Sequence, residues 1–153
     1  MTVQPHTHQQ TTYQHTTRLE HANITVPSID AATEFLTIAN QDWAIRKNAH
    51  NGQHRWAHIG NLECYIALQE PPHDHIPESL RDTYINLGIN HLAMITINIE
   101  EVSRRLVEAG YTPNGGIASE ANRKRMYFYD SAGFEWEFVE YFTDELEERY
   151  IYE

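Results

Sequence analysis

The segment Tyr127-Phe-Tyr-Asp-Ser-Ala-Gly-Phe-Glu-Trp-Glu-Phe-Val-Glu-Tyr141 predicts two β-strands joined by a tight turn. Its first residues are aromatic and favour a strand, residues 130–133 are typical of a turn, and residues 134–142 alternate between two faces. Side chains of a strand point alternately to opposite faces, so Glu135 and Glu137 share one face. Glu137 lies in mid-strand between bulky apolar neighbours, where an unpaired carboxylate is costly. We expect it to be paired, protonated or bound to a metal ion.

The composition is typical of one soluble globular domain. The chain has 153 residues, of which 41% are hydrophobic, and this length is enough for a real core. No apolar run approaches the roughly 18 residues that span a membrane, and the N-terminus lacks the apolar core of a secretory signal. Cys64 is the single cysteine, so a reducing cytoplasm is the expected compartment. The formal charge of −11 argues against nucleic acid and anionic membranes as partners.

Hydrophobic periodicity divides the chain into two similar modules. We expect a polar N-terminal arm at 1–17, a first module at 18–70, a linker at 71–89, a second module at 90–142 and an acidic C-terminal helix or tail at 143–153. Each module is predicted to have the order β-α-β-β-β. The helices are predicted at 29–40 and 99–109, and the strands at 18–27, 43–47, 54–60, 62–69, 90–98, 117–119, 124–130 and 134–142.

An offset of 70 residues aligns the two modules and indicates an internal repeat. The matching pairs are His21 with His91, Ser28 with Asn98, Leu36 with Leu106, Arg55 with Arg125 and Glu70 with Glu140. Equivalent positions of paired modules lie near a pseudo-two-fold axis. Such an arrangement can bring His21, His91 and Glu137 together.

Two imidazoles and one carboxylate suit a divalent metal ion, and Zn, Mn, Fe(II) and Ni are all compatible with this set. The repeat position that matches Glu137 is Ala67, which supplies no donor. Coordination positions on the metal ion would remain open for water or substrate, as in catalytic rather than structural metal sites. The alternative is a metal-free pocket in which these groups hydrogen-bond to each other.

The paired modules, the strand starts Leu-Glu-His21 and Ile-Asn-His91, and the motif Asp130-Ser-Ala-Gly133-x-x-x-Glu137 resemble the vicinal oxygen chelate superfamily. That group includes glyoxalase I, fosfomycin-resistance thiol transferases, methylmalonyl-CoA epimerase, extradiol dioxygenases and bleomycin-resistance proteins. The resemblance covers residues 18–142. Its members usually have Asp-Pro-Asp-Gly at the last turn, and Ser131 and Ala132 depart from that pattern.

The resemblance implies an α+β fold of two tandem βαβββ modules, whose curved mixed sheets form a cup-shaped cleft. It also implies a homodimer, and it places His21, His91 and Glu137 on the metal-ligand positions. Ala67 stands where glyoxalase I has a glutamate. The three-ligand set is therefore more similar to the fosfomycin-resistance enzymes or the dioxygenases than to glyoxalase I.

Other residues are candidates for contact with a substrate. In some relatives a tyrosine ten residues before the last ligand contacts substrate, which is the position of Tyr127; the alternative is an ordinary strand aromatic. Tyr65 and Gln69 share the face of Ala67 and are expected to be cavity walls. Arg125 would neutralise an anionic substrate or pair with acidic neighbours.

The leading hypothesis is a divalent-metal-dependent enzyme that acts on a small substrate through vicinal oxygens, with isomerase, lyase or thiol-transferase chemistry. Glu137 would double as a base. The second hypothesis is a metal-free drug-binding protein of the bleomycin-resistance type, for which the negative charge would suit a cationic ligand. The third is an Fe(II) extradiol dioxygenase, although residues 118–124 lack the histidine expected before that strand.

Overall fold

The computed structural model describes residues 17–72 and 82–149. Most of the predicted N-terminal arm, part of the linker and the last four residues of the acidic tail lie outside this range. The first module contains β1 (His21–Thr25), α1 (Ile29–Ala39), β2 (Ala44–His50), β3 (Arg55–Gly60) and β4 (Tyr65–Gln69). The second contains β5 (His91–Ile95), α2 (Ile99–Glu108), β6 (Ala118–Ser119), β7 (Arg123–Tyr129) and β8 (Glu135–Tyr141), and the short helix α3 (Leu146–Arg149) follows.

Both modules form a four-stranded mixed sheet with the same topology. The strand orders are β1-β4-β3-β2 and β5-β8-β7-β6. The first strand of each module pairs in parallel with the last, and the remaining pairs are antiparallel. The predicted α+β fold of two tandem βαβββ modules is therefore confirmed. Several strands are shorter than predicted: residues 18–20 and 62–64 lie outside β1 and β4.

The helices α1 and α2 begin with the same capping arrangement. The N-cap side chains Ser28 and Asn98 accept hydrogen bonds from backbone N–H groups three residues later. In addition, Glu70 accepts from the Ile29 N–H at 2.8 Å, and Glu140 accepts from the Ile99 N–H at 2.6 Å. A carboxylate from the last strand of each module thus lies at the positive end of that module's helix, where negative charge is favourable.

The alignment of the two modules shifts by one residue at their third strands, β3 and β7. Gln69 and Val139 are repeat mates, and they lie opposite Trp56 and Arg125 respectively. The expectation that Arg55 falls on Arg125 is therefore wrong. The β3–β4 loop has four residues, 61–64, whereas the β7–β8 loop has five, 130–134, and this extra residue accounts for the slip.

Contacts of the basic side chains agree with the corrected register. Arg55 pairs with Asp30 at 2.6 Å and with Glu70 at 3.7 Å. Lys124 makes the equivalent pairs, with Glu100 at 2.6 Å and Glu140 at 3.9 Å. The true mate of Arg55 is thus Lys124.

One hydrophobic core serves both modules. It contains the apolar faces of α1 and α2 and the helix-facing sides of both sheets. Phe35 of α1 lies 6.1 Å from the Trp136 ring of β8, and the Arg105 guanidinium of α2 donates to the Ile38 and Ala39 carbonyls at the end of α1, both at 2.9 Å. The opposite face of each sheet does not pack on a helix, and the candidate functional residues lie on these open faces. No helix in the described part of the chain has the length and apolarity needed to cross a membrane.

Candidate functional site

The open face of the second sheet brings His91 and Glu137 together. Glu137 of β8 lies between Ala93 of β5 and Tyr127 of β7, and His91 is two residues before Ala93 on the same face. His91 Nε2 lies 3.1 Å from Glu137 Oε2. The Glu137 side chain is only 13% exposed, so its charge is largely removed from water. Two of the three predicted metal ligands are therefore adjacent in this chain.

Tyr127 holds the other oxygen of Glu137. Its hydroxyl donates to Glu137 Oε1 at 2.9 Å and accepts from Arg125 Nη1 at 2.8 Å. Burial, and secondly the bond to Glu137, raise the pKa of Tyr127, so the phenol stays protonated as a donor. Arg125 also donates to Glu120 Oε1 at 2.5 Å. Arg125 is thus part of an ion pair, as the alternative interpretation of its role expected.

A second carboxylate, Glu135, lies opposite His91 on β8, on the same face of the sheet as Glu137. It is 2% exposed. Its Oε2 accepts from the Tyr84 hydroxyl at 2.5 Å, and its Oε1 accepts from Asn114 Nδ2 at 2.7 Å. The Tyr84 hydroxyl is also 3.0 Å from His91 Nδ1. The hydrogen bond to Glu135 is the main cause that raises the pKa of Tyr84 to about 12.

Sequence reasoning missed Glu135, Tyr84 and Asn114 as members of this cluster. The strand alternation that singled out Glu137 also put Glu135 on the same face, so a signal for Glu135 was present. Tyr84 and Asn114 lie in irregular segments before β5 and β6, where no periodic pattern predicts the direction of a side chain.

The open face of the first sheet carries a different cluster. His21 pairs through Nδ1 with Glu20, and its ring stacks on Tyr65 with centroids 4.7 Å apart. The His58 ring also lies 4.7 Å from the Tyr65 ring, centroid to centroid, and the Arg46 guanidinium lies 4.9 Å from the centroid of the same Tyr65 ring. The structure therefore places His21 with aromatic and basic neighbours.

Gln69 and Ala67 lie further along β4. Gln69 is opposite Thr25 of β1 and Trp56 of β3, and Ala67 is only 4% exposed. Among residues 17–72 and 82–149, no group of three or more His, Cys, Asp or Glu side chains is arranged to hold a metal ion.

A cavity of about 410 Å³ lies between the two modules. His21, Trp43 and Tyr65 line it from the first module, and Ala93 and Met94 line it from the second. This volume is within the range of about 300 to 1,000 Å³ that small-molecule sites have. The cavity lies on the His21 side, and His91 and Glu137 are not among its lining residues.

Comparisons with known proteins agree on one family. The model described as the Glyoxalase/Bleomycin resistance protein/Dioxygenase superfamily matches residues 18–138. No protein of curated function matches the sequence.

Solved structures share the fold at low sequence identity. A glyoxylase/bleomycin resistance protein/dioxygenase domain from Frankia sp. EAN1pec is 20% identical, with a TM-score of 0.70 over 84% of this chain and 95% of its own. A glyoxalase family protein from Bacillus cereus is 19% identical, with a TM-score of 0.69 over 82% and 95%. The fosfomycin resistance protein FosX from Listeria monocytogenes, solved with Mn(II) and sulfate, is 18% identical, with a TM-score of 0.62 over 86% and 96%.

Proposed function

The chain belongs to the glyoxalase/bleomycin resistance/dioxygenase superfamily, and on that premise we propose that it is a divalent-metal-dependent enzyme acting on a small substrate. The observation that carries this proposal is the approach of His91 Nε2 to Glu137 Oε2 at 3.1 Å on the open face of the second sheet. Two ligands that bind one ion at about 2.1 Å each have donor atoms about 3.0 to 3.4 Å apart. The pair therefore fits two positions of a metal site.

We propose His21 from a second copy of the chain as the third ligand. Within one chain, His21 lies in the Tyr65 cluster on the first sheet. Its Nδ1 is engaged by Glu20, which leaves Nε2 as the nitrogen available for a ligand bond. Exposed apolar side chains flank both clusters: Leu19 is 82% exposed, Ile95 60% and Ile97 98%. Such surface favours association into a homodimer.

A bound divalent ion would supply Lewis-acid stabilisation of negative charge on a substrate oxygen. The protein side chains have separate tasks. Tyr127 fixes the orientation of the Glu137 carboxylate, and Arg125 in turn fixes Tyr127. Glu137 is also the group best placed to accept a proton from substrate, because it lies on the open face. Tyr65 and Gln69 would form the wall opposite. Isomerase, lyase or thiol-transferase chemistry agrees with this arrangement.

Elemental analysis of protein purified without a histidine tag tests the metal proposal. Mn²⁺ is the first ion to add back, because the FosX structure holds Mn(II). We expect about one ion per chain in the wild type, and loss of the ion in His91→Ala and Glu137→Gln. His50→Ala removes an imidazole from the tip of the β2–β3 hairpin and should keep the metal. Equal retention in all variants would show that the ligands are misassigned.

A mixed dimer tests the origin of the third ligand. His21→Ala and Glu137→Gln chains would each lack metal when purified alone. Refolded together, they should regain about one ion per mixed dimer, because one of its two sites then has all three ligands. Ligands that all come from one chain would give no recovery.

One observation favours a second candidate, a metal-free protein that binds a small molecule. Three of the four carboxylate oxygens of Glu135 and Glu137 already accept hydrogen bonds, from Tyr84, Asn114 and Tyr127. The fourth faces His91 Nε2 at 3.1 Å, and a proton on that nitrogen would satisfy it without a metal ion. The net charge of −11 suits a cationic ligand. Metal-free wild-type protein that binds an organic cation by calorimetry would favour this function over the enzyme.

A further inference from the structure

A hydrogen-bonded chain connects His91 to the buried carboxylate of Glu135. His91 Nδ1 is 3.0 Å from the Tyr84 hydroxyl, and that hydroxyl is 2.5 Å from Glu135 Oε2. Glu135 is 2% exposed. A buried carboxylate needs donors on both oxygens, and Asn114 Nδ2 supplies the second at 2.7 Å.

The number of available protons fixes the direction of this chain. A carboxylate can only accept, so the single O–H of Tyr84 is donated to Glu135. The Tyr84 oxygen can then only accept at its contact with His91, which places a proton on His91 Nδ1. In the neutral ring, Nε2 therefore carries a lone pair, and this nitrogen faces Glu137 at 3.1 Å.

The backbone of Tyr84 is held in place for this role. Its φ angle is 65°, in the left-handed region that a tyrosine rarely adopts. The Tyr84 N–H donates to Asn90 Oδ1 at 2.8 Å, which fixes the loop just before β5. A strained backbone that is held by specific contacts is typical of functional positions.

We propose that Tyr84 and Glu135 are positioning residues that hold His91 with its proton on Nδ1. Nε2 is then an acceptor, and it lies beside a second acceptor, Glu137 Oε2. Two acceptors at 3.1 Å repel each other unless a proton or another cation lies between them. The tautomer follows from the contacts alone, whereas the identity of that cation as a divalent metal ion rests on the proposed function.

Nitrogen-15 NMR of the histidine side chains in metal-free protein tests the tautomer, at a pH where the imidazole is neutral. His91→Asn identifies the His91 signals. We expect the wild type to show one tautomer with the proton on Nδ1. Tyr84→Phe should give a mixture of tautomers, because Nδ1 then keeps only its 3.5 Å approach to Glu135 Oε2, which is too long for a good hydrogen bond. Glu135→Gln should also give a mixture, because the new amide can donate to the Tyr84 oxygen and leave the phenol proton for His91.

Tyr129→Phe is the matched control. Its hydroxyl reaches the same network through Asn114 at 3.0 Å but has no contact with His91 among those described. It should keep the wild-type tautomer. A proton on Nε2 in the wild type overturns the proposal, and so does an unchanged tautomer in Tyr84→Phe. The wild-type spectrum decides even if Glu135→Gln does not fold.

Mn²⁺ affinity measured by calorimetry extends the test to the proposed metal. Loss of a residue that orients a histidine ligand typically weakens metal binding about 10- to 100-fold, and we expect this loss in Tyr84→Phe but not in Tyr129→Phe. Wild-type protein that binds no Mn²⁺ contradicts the proposed enzyme, while the tautomer measurement still decides the role of Tyr84. Unweakened binding in Tyr84→Phe overturns that role.

Discussion

The two sheets have the same backbone topology, but the side chains on their open faces differ in chemistry. In the corrected register, the first sheet places His21, Tyr65, Ala67 and His58 where the second places His91, Glu135, Glu137 and Tyr127. Only the histidine of the first strand is common to both. Rings contact one another on the first face, whereas carboxylates and their donors fill the second.

The helix-facing sides of the two sheets are much more alike. Glu70 and Glu140 make the same bond to the first helical N–H, and Arg55 and Lys124 pair with these carboxylates. A side chain at this position must satisfy the start of a helix, so few residue types are tolerated. The open faces have no such constraint, and this difference explains how one module can acquire a candidate metal pair that its mate lacks.

The largest expected effect tests whether the modules share one core. Trp136 is fully buried, and its mate Ile66 is 7% exposed and lines the cavity between the modules. We expect Trp136→Ala to reduce the free energy of unfolding by about 3 to 5 kcal/mol, because a large cavity remains. Ile66→Ala should lie near the lower end of the range of about 2 to 5 kcal/mol. Urea denaturation followed by circular dichroism measures both.

The shape of the unfolding curve matters as much as its midpoint. Phe35 of the first module contacts the Trp136 ring of the second, so both variants should unfold in one cooperative transition. Two separate transitions in Trp136→Ala would mean that the modules have independent cores.

A smaller effect is expected at the two hairpin turns. Asp130 Oδ1 accepts from the Ala132 and Phe134 N–H groups, and its Oδ2 accepts from Trp136 Nε1 at 3.1 Å. Asp130→Asn keeps the turn but places an amide N–H against the buried indole N–H. We expect a loss of about 1 to 3 kcal/mol in the free energy of unfolding, the usual cost of an unsatisfied buried donor.

The equivalent residue of the first module provides the control. Asn61 Oδ1 accepts from the Glu63 and Cys64 N–H groups in an exposed turn. Asn61→Ala should cost about 0.5 to 1.5 kcal/mol, typical of ordinary hydrogen bonds. In a Trp136→Phe background, Asp130→Asn should cost much less, because no indole N–H remains. An unchanged cost there would assign the effect to the turn instead.

The sequence was sufficient to predict the fold because each element has a local signal. Ser28 and Asn98 mark the helix starts, and strand alternation gives the two faces of β8. The residue offset between the modules was harder to predict, since it depends on loop length. The extra residue at 130–134 shifted Arg125 by one position, and a gapless comparison of the modules has no means to detect it.

The candidate site was predictable only where residues lie on strands. His91 and Glu137 were identified because both occupy regular positions of β5 and β8. Tyr84 reaches the site through a left-handed loop conformation, which depends on tertiary contacts. The contacts that His21 and His91 make, with Tyr65 and with Glu137 respectively, depend on tertiary packing, and sequence periodicity does not contain that information.

The smallest expected effect comes from an ion pair that α2 has and α1 lacks. Glu101 of α2 pairs with Arg104 at 2.7 Å, and its repeat mate in α1 is Ala31. The hydrogen bonds from Arg104 are the main cause that lowers the pKa of Glu101 to about 2. A carboxyl group whose pKa is lowered by folding stabilises the protein above its unfolded pKa of 4.5, and this contribution is lost as the pH falls toward 2.

Glu101→Gln should therefore remove part of the acid sensitivity of the protein. Between pH 4.5 and 2 the wild type should lose stability more steeply than the variant, and the difference should shrink in high salt because the pair is exposed. Thermal melts over this pH range measure the effect. Glu34→Gln makes the same change on α1 and should follow the wild-type profile; a parallel response of both variants would assign the effect to net charge, leaving no distinct role for the pair in α2.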